Sequence, residues 1–337
     1  MATNKLIEEY EIAPEVDGFH ITDNKIAEFR NNLITATWPA TEAVPDDSMN
    51  LDRDQFNNMT TAERQFITGS LVLFLIADDF VDEVIEDEIV HRVKNRIWRG
   101  YEFQKQAMED IHSETYRLLL EGLVPGQVDE ISRTVRERYT FITDKVDWCR
   151  RSMGQDPVSS SDVRTPTRLA HCVFVMTIIE LIFFSTSFAI IFWYKSNNKL
   201  PQISYANEMI ARDEGAHGEF DIYIYNTLKH RLSPEEAALI MSEAVALECL
   251  FVEAVTPDII GINKKTLCMY AQFMADGVMQ ELGYAPIYGI KECPIPYMVE
   301  FGIRRKTDFF RKKENSYQRF KKELFVPWDV ENLKFNN

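Results

Sequence analysis

Closely spaced cysteine pairs are missing from this sequence. Its five cysteines, Cys149, Cys172, Cys249, Cys268 and Cys293, are scattered with no Cys-x-x-Cys. That excludes the common thiolate zinc motifs and a vicinal redox pair, and it suits reduced thiols in a reducing compartment. A net positive charge is also missing: 37 basic against 53 acidic residues give a formal charge of −16, which argues against a general basic surface for displacing counterions from a nucleic-acid backbone. No P-loop and no glycine-rich dinucleotide turn occurs, so any nucleotide chemistry must sit on another protein. Neither strand-like alternation nor a tandem repeat stands out. The opening Met1-Ala-Thr-Asn-Lys-Leu-Ile-Glu-Glu carries charges where a secretory leader needs an apolar stretch. These absences predict an intracellular, cytoplasmic, all-α protein.

What is present is a large apolar complement. Hydrophobic residues make up 45% and charged residues 27% of 337, a globular balance with enough length for a sizeable core. One short run organises the rest: Met108-Glu109-Asp110-Ile111-His112-Ser113-Glu114-Thr115-Tyr116. A helix advances about 100° per residue, so Glu109 and His112 share a face and Tyr116 lies one turn further along it. A carboxylate and an imidazole at i, i+3 form half of a metal site, and a phenol beside it is a candidate one-electron donor. A lone Glu-x-x-His is more often a solvated helix face. The second copy, Ala211-Arg212-Asp213-Glu214-Gly215-Ala216-His217, shifts the balance. Two such helices, each joined by another helix bearing an acid, are the pattern of ferritin-like bundles with a dinuclear carboxylate centre. Asp78 and Glu180, acids embedded in apolar helices, complete it. Two metals bridged by Glu109 and Glu214 would have Asp78 and His112 on one side, and Glu180 and His217 on the other. Such donors suit iron or manganese. His20, His91, His171 and His230 read as ordinary surface or core residues.

In sequence order, residues 1 to about 23 read as an extended arm, and Asp23 caps a short helix that Trp38-Pro39 ends. Thr60-Thr61-Ala62-Glu63 is a capping box for a helix to about Val90. Within it Asp78 is expected to face inward and its neighbour Asp79 outward. Further helices are expected over Ile97–Glu121, Val128–Ser152, Leu169–Tyr194, Ser204–Lys229, Ser233–Ala254 and Lys264–Leu282, with a shorter one reaching Phe310. The stretch Leu169–Tyr194 is long enough for a membrane span. Glu180 at its centre, and the lack of a second span to shelter that acid, favour a core helix instead. Phe184 and Phe188 follow Glu180 at one and two turns.

These residues resemble the small, radical-generating subunit of class I ribonucleotide reductase, over about Trp38 to Tyr317. The intervals from Asp78 to Glu109 and from Glu180 to Glu214 match that family. Ile182-Phe-Phe-Ser-Thr-Ser-Phe-Ala-Ile-Ile-Phe-Trp193, Ile210-Ala-Arg-Asp-Glu-Gly-Ala-His217, and Phe309-Phe310 ahead of Tyr317-Gln318 resemble its eukaryotic and viral branch. The resemblance implies that Asp78, Glu109, His112, Glu180, Glu214 and His217 hold two irons per chain, with manganese an option. It also implies that O2 activates them and that Tyr116 keeps the resulting radical. It makes Phe184, Phe188 and Ile210 the pocket around that radical. Trp38, Asp213 and His112 become an electron-transfer path, and Tyr317 a relay residue. Two features depart from the family pattern: a slightly longer stretch between Trp38 and Met59, and fewer acids in the ending Leu333-Lys334-Phe335-Asn336-Asn337.

The organisation expected is an arm and short helix over 1–37, a ferritin-like di-iron domain over 38–310, and a flexible tail over 311–337 that docks on the large subunit. The expected function is the small subunit of ribonucleoside-diphosphate reductase, a homodimer that passes its radical to that partner and contacts neither nucleic acid nor membrane. Two other readings compete. One is a dinuclear iron or manganese–iron oxidase acting directly on a small molecule, which would need neither Tyr116 nor Tyr317. The other is a helical iron store or scaffold, which would leave six buried ionisable groups without a purpose.

Overall fold

The computed structural model describes residues 23–84, 89–90, 93, 95–153, 166–256 and 263–301. The arm before residue 23, the side chain of Asp79, His91, the helix expected to reach Phe310, Tyr317 and the tail lie outside the described residues. Within them there is no strand. The elements are α1 (Asn24–Ala36), α2 (Ala40–Ala43), α3 (Asn50–Asn57), α4 (Thr61–Val84), α5 (Arg96–Leu123), α6 (Val128–Arg138) and α7 (Phe141–Ser152). They continue as α8 (Pro166–Ile178), a π turn (Ile179–Phe183), α9 (Ser185–Ser196), α10 (Pro201–Thr227), α11 (Pro234–Val255), α12 (Lys264–Glu281) and α13 (Met298–Phe301).

The bundle is built on two long pairings. Helix α4 lies along α5, and α8 lies along α10, while α5 and α10 also touch each other. Each of the four brings an apolar stripe to one continuous core, including Leu71 and Phe74 on α4, Leu119 and Leu120 on α5, Phe174 on α8 and Phe220 on α10. Helices α11 and α12 pack together and cover the π turn from outside. The stretch Arg168–Ser196 is long and apolar enough to cross a bilayer, yet its apolar window is wholly buried in the bundle. It is the central core helix, as Glu180 in its middle suggests.

Helix starts follow the local chemistry. Asp23 accepts from the N–H groups of Lys25 and Ile26, and Asn95 from those of Ile97 and Trp98. Thr60 and Glu63 form the reciprocal capping box, and Ser233 caps α11 with Pro234 in its first turn. Three expectations need correction. The helix expected over Val128–Ser152 breaks at Tyr139, whose backbone is extended (φ −120°, ψ 111°) and whose N–H closes α6 on Val135. The helix expected from Ser204 begins three residues earlier, with Pro201 in its first turn. The expected Leu169–Tyr194 helix is not continuously α but is interrupted by the π turn.

A short polar helix that sequence periodicity does not reveal, α3, supplies the missing cap for α10. Leu200, the residue before α10, sits in the left-handed region (φ 50°) and offers no side-chain cap. Instead the buried Asp52 accepts from the N–H groups of Gln202 (3.1 Å) and Ile203 (2.9 Å), and Gln55 accepts from the N–H of Leu200 (2.7 Å). These bonds satisfy amide groups that a helix start leaves open, on the helix that carries the second Glu-x-x-His.

Close approach of α10 to the π turn depends on Gly218. A Cβ placed there would lie 2.5 Å from Leu181 Cγ and Cδ2, well inside contact distance. Gly218→Ala is therefore expected to destabilise the fold by about 1–3 kcal/mol, the usual cost of overpacking, despite the better helix propensity of alanine. Thermal unfolding of the metal-free protein measures it. An unchanged or raised Tm would show that Leu181 yields freely.

Candidate metal centre

Four elements meet at one buried point. Asp78 comes from α4, Glu109 and His112 from α5, Glu180 from the π turn, and Glu214 and His217 from α10; all are 0–1% exposed. Two groups of ligand atoms can be drawn, each within 4.8 Å: Asp78, Glu109 and His112, and Glu109, Glu180, Glu214 and His217. Glu109 belongs to both. Its carboxylate lies 3.3 Å from His112 Nδ1 and 3.0 Å from His217 Nδ1. Glu214 likewise faces both rings, 3.1 Å from His112 Nδ1 and 3.4 Å from His217 Nδ1. Glu180 Oε2 is 3.6 Å from His217 Nδ1. The two acids expected to bridge are the two that face both histidines.

The polar atoms of this cluster fit a pair of cations better than they fit one another. Asp78 Oδ2, Glu109 Oε1, Glu180 Oε2, Glu214 Oε2 and both nitrogens of His217 are buried without a hydrogen bond of regular geometry. Uncompensated buried groups of this kind cost several kcal/mol each, which two divalent ions would remove. The electrostatics agree. Burial pushes the Asp78 carboxyl well above the usual range, and the charge of Glu109 adds to it. For His112 and His217 burial opposes the charged form. Asp213 and the cluster acids overcome it at His112, and Glu109 leads the same effect at His217, so both rings are held well above their ordinary values.

Tyr116 stands one turn beyond His112, 1% exposed, with its hydroxyl unpaired. Burial, and then the charge of Asp78, raise its phenol well above the ordinary value, which keeps it protonated. Phe74 stacks on its ring at 4.8 Å and 11°, and in turn meets Phe188 at 5.1 Å and Phe184 at 5.5 Å. Phe184 and Phe188 thus reach the phenol through Phe74, a residue that no sequence motif singles out. Ile210 is fully buried one turn before Glu214 on α10.

On the opposite side of His112 lies the expected path of residues. The Trp38 indole N–H donates to Asp213 Oδ2 at 2.6 Å, and its ring stacks near the His112 ring at 5.7 Å and 26°. His112 Nε2 is 3.5 Å from the same Asp213 oxygen. Arg212 Nε donates to the other oxygen at 2.9 Å. Burial would raise Asp213, but the His112 contact and the charge of Arg212 overcome it and hold the carboxyl at about 2. Asp213 is therefore a link, charged near neutral pH, between Trp38 and a cluster histidine.

A second unforeseen residue is Lys105. It is completely buried, with Nζ 2.5 Å from Glu180 Oε1 and 3.5 Å from Asp221 Oδ2. Burial works against its charge, yet Asp221, Glu180 and Glu102 outweigh it and raise the ammonium well above its ordinary value. Glu102, three residues before Lys105, accepts from the Trp98 indole at 2.7 Å. His171, which has no acid at ligand spacing along the sequence, meets Glu236 across helices at 3.0 Å and is not part of the cluster.

Comparison with known proteins agrees with this architecture. The family described as "Ribonucleotide reductase, small chain" matches residues 15–294. The ribonucleoside-diphosphate reductase small chain of Nicotiana tabacum is 31% identical over 304 residues, covering 89% of this sequence and 88% of its own. The human ribonucleoside-diphosphate reductase subunit M2 is 31% identical over 284 residues, 84% of this sequence and 69% of its own. Among solved structures, a putative class I ribonucleotide reductase from Bacillus halodurans superposes with a TM-score of 0.73 at 19% identity, over 83% of this protein and all of that one. The Rnr4 homodimer of Saccharomyces cerevisiae gives 0.71 at 21% identity, over 94% and 95%. A helical bundle closed around two half-sites, with family similarity along nearly its whole described length, places the sequence: the chain belongs to the ribonucleotide reductase small-chain family.

Proposed function

We propose that Asp78, Glu109, His112, Glu180, Glu214 and His217 hold two metal ions and that Tyr116 carries a stable radical for a ribonucleoside-diphosphate reductase. The observation that carries this reading is the sharing of Glu109 and Glu214 between both histidines, in a buried cluster whose atoms lack partners. Two ions there would supply two of the four electrons that reduce dioxygen to water. Tyr116 would supply a third, with its phenolic proton, and so become the radical, and an external one-electron reductant would supply the fourth. The donor set suits iron, with manganese as the near alternative.

The remaining work falls to the protein itself. The carboxylates neutralise the ions, and Asp213 fixes the orientation of His112 through its outer nitrogen, as acids behind metal-bound imidazoles do. Phe74, Phe184, Phe188 and Ile210 supply apolar surroundings that keep water from the Tyr116 phenol. Trp38, Asp213 and His112 give an electron a continuous contact route through the buried interior to the cluster. Small chains of this family work with a large subunit, and we assign the docking to the segment 311–337 with Tyr317 as relay. The resting unit is read as a homodimer like the yeast relative, and its compartment as the cytoplasm that free thiols suit. The reading as an oxidase acting directly on a small molecule gives way to the family assignment.

The experiment is a reconstitution with ferrous iron and air, followed by metal analysis and electron paramagnetic resonance. Wild-type protein is expected to hold about two irons per chain and show a tyrosyl signal. Tyr116→Phe should keep the irons and lose that signal. A signal of unchanged shape in the variant would place the radical elsewhere, and a single zinc would end the dinuclear reading.

A further inference from the structure

Glu180 differs from the other five cluster residues in standing on a π turn rather than an α-helix. A π turn makes i→i+5 bonds and holds an extra residue, which leaves backbone groups at its end without their α-helical partners. Buried groups of that kind must be satisfied by something else. Here three groups at that end have side-chain partners. The Ser185 hydroxyl donates to the Ile182 carbonyl at 2.7 Å. Lys145, from α7, donates to the Phe183 carbonyl at 3.3 Å. Glu248, from α11, takes the Thr186 hydroxyl and backbone N–H just past the turn. Lys145 and Glu248 are themselves joined at 2.5 Å and are 6% and 0% exposed. The ammonium also lies 4.6 Å and 4.8 Å from the rings of Phe183 and Phe251.

This ion pair lies behind the turn, and neither member is in the metal cluster. A buried pair of this kind is rarely a net source of stability, since desolvation offsets its attraction. Its geometry is specific instead: the cation takes the last carbonyl of the π segment, and the anion takes an amide of the α-helix that follows. Reverting the turn to α geometry would shift the register between Glu180 and Phe184 by one residue, about 100° of rotation. Glu180 and the aromatic residues near Tyr116 could not then both keep their present directions.

We propose that Lys145, Glu248 and Thr186 form a clamp that locks the π turn and so positions Glu180 toward the ion on the His217 side of the dinuclear site. They are positioning residues. The proposal rests on the dinuclear reading above, and it predicts an asymmetric effect that general loosening of the fold would not produce. The Asp78–Glu109–His112 half-site has no residue on the turn. The Glu180–His217 half-site does.

The test is a manganese(II) titration of the full-length protein, following free ion by electron paramagnetic resonance, on wild type, Lys145→Met, Thr186→Val and Thr186→Ser. Wild type is expected to bind two ions. Failure there would overturn the dinuclear reading and not the clamp in particular. In Lys145→Met one ion should bind as before and the other about 10–100-fold more weakly, the usual effect of losing an outer-shell partner. Thr186→Val should weaken the same ion, while Thr186→Ser, which keeps the hydroxyl, should match wild type. Should Lys145→Met fail to fold, the Val and Ser pair decides alone. Equal weakening of both ions, or two unchanged ions with only a lowered Tm, would overturn the clamp.

Discussion

Replacing Lys105 with methionine is expected to destabilise the metal-free protein by about 3–5 kcal/mol, the cost of deleting one member of a buried ion pair, and the metal-loaded protein by much less. The reason is the position of its charge. Nζ lies 2.5 Å from Glu180 Oε1 and 3.5 Å from Asp221 Oδ2 in a place with no solvent. Without metal, Lys105 is the nearest cation to Glu180, at 2.5 Å against 3.6 Å for His217, and it also lies 3.5 Å from Asp221. Methionine preserves most of the volume and helix propensity, so the change isolates the charge. When two divalent ions occupy the cluster, Glu180 has another cation to face, and the penalty shrinks to that of Asp221 alone. Asp221 already stands raised to about 6 by burial, with Lys105 holding it down. Its carboxyl can therefore take up a proton once Lys105 is gone, at modest cost near neutral pH. Thermal unfolding in chelator and in excess manganese measures both states. Equal losses in the two would show that Lys105 serves packing alone.

Lys105 also marks how far the sequence can be read. Glu102, Lys105, Glu109, His112 and Tyr116 recur at three- and four-residue intervals, so the lysine stands on the cluster-facing stripe of α5. That placement is visible in the residues alone. The acid that meets it is not: Asp221 follows His217 by one turn on a helix more than a hundred residues away. The same limit explains α3. Asn-Leu-Asp-Arg-Asp-Gln-Phe-Asn has too few apolar residues to show a helical period, and its purpose, capping α10 through Asp52, is a contact across 150 positions. Local signals such as the Ser233 cap, the Thr60–Glu63 box and the doubled Glu-x-x-His are legible because their partners lie within one helical turn.

The π turn is illegible for a related reason. Ile179 to Phe183 is apolar throughout except for Glu180, and an apolar run reads the same whether its bonds are i→i+4 or i→i+5. The turn is specified by side chains on α7 and α11 that meet it in space. Phe74, one turn before Asp78, is legible as part of the inward stripe of α4, but its stacking on Tyr116 is a contact between helices that the sequence does not show. The chemistry is written in the sequence as residue types at helical spacing. The second layer that holds them lies in long-range contacts.

Removing the residues after Phe320 is expected to leave the metal and the Tyr116 radical intact while abolishing ribonucleotide reduction with the large subunit. This protein has no nucleotide-binding motif and no Cys-x-x-Cys redox motif, so both functions are assigned to the partner. The segment removed carries Phe325, Trp328, Leu333 and Phe335, large apolar residues spaced through a short polar stretch. Such residues act as anchors when they enter pockets on another protein, and each anchor contributes about 2 kcal/mol or more. Losing two of them would weaken docking by roughly several hundred-fold at about 1.4 kcal/mol per factor of ten, and the truncation loses all of them. Tyr317→Phe makes the complementary test. Phenylalanine keeps the ring and loses the oxidisable hydroxyl, so binding to the large subunit should stay near wild type while turnover falls to background. The cluster and Tyr116 should give the same metal count and the same resonance signal in both variants. Affinity for the large subunit, measured by sedimentation or surface binding, separates the two roles from each other. Normal turnover in the truncated protein would remove the docking proposal, and normal turnover in Tyr317→Phe would remove the relay while leaving the docking intact.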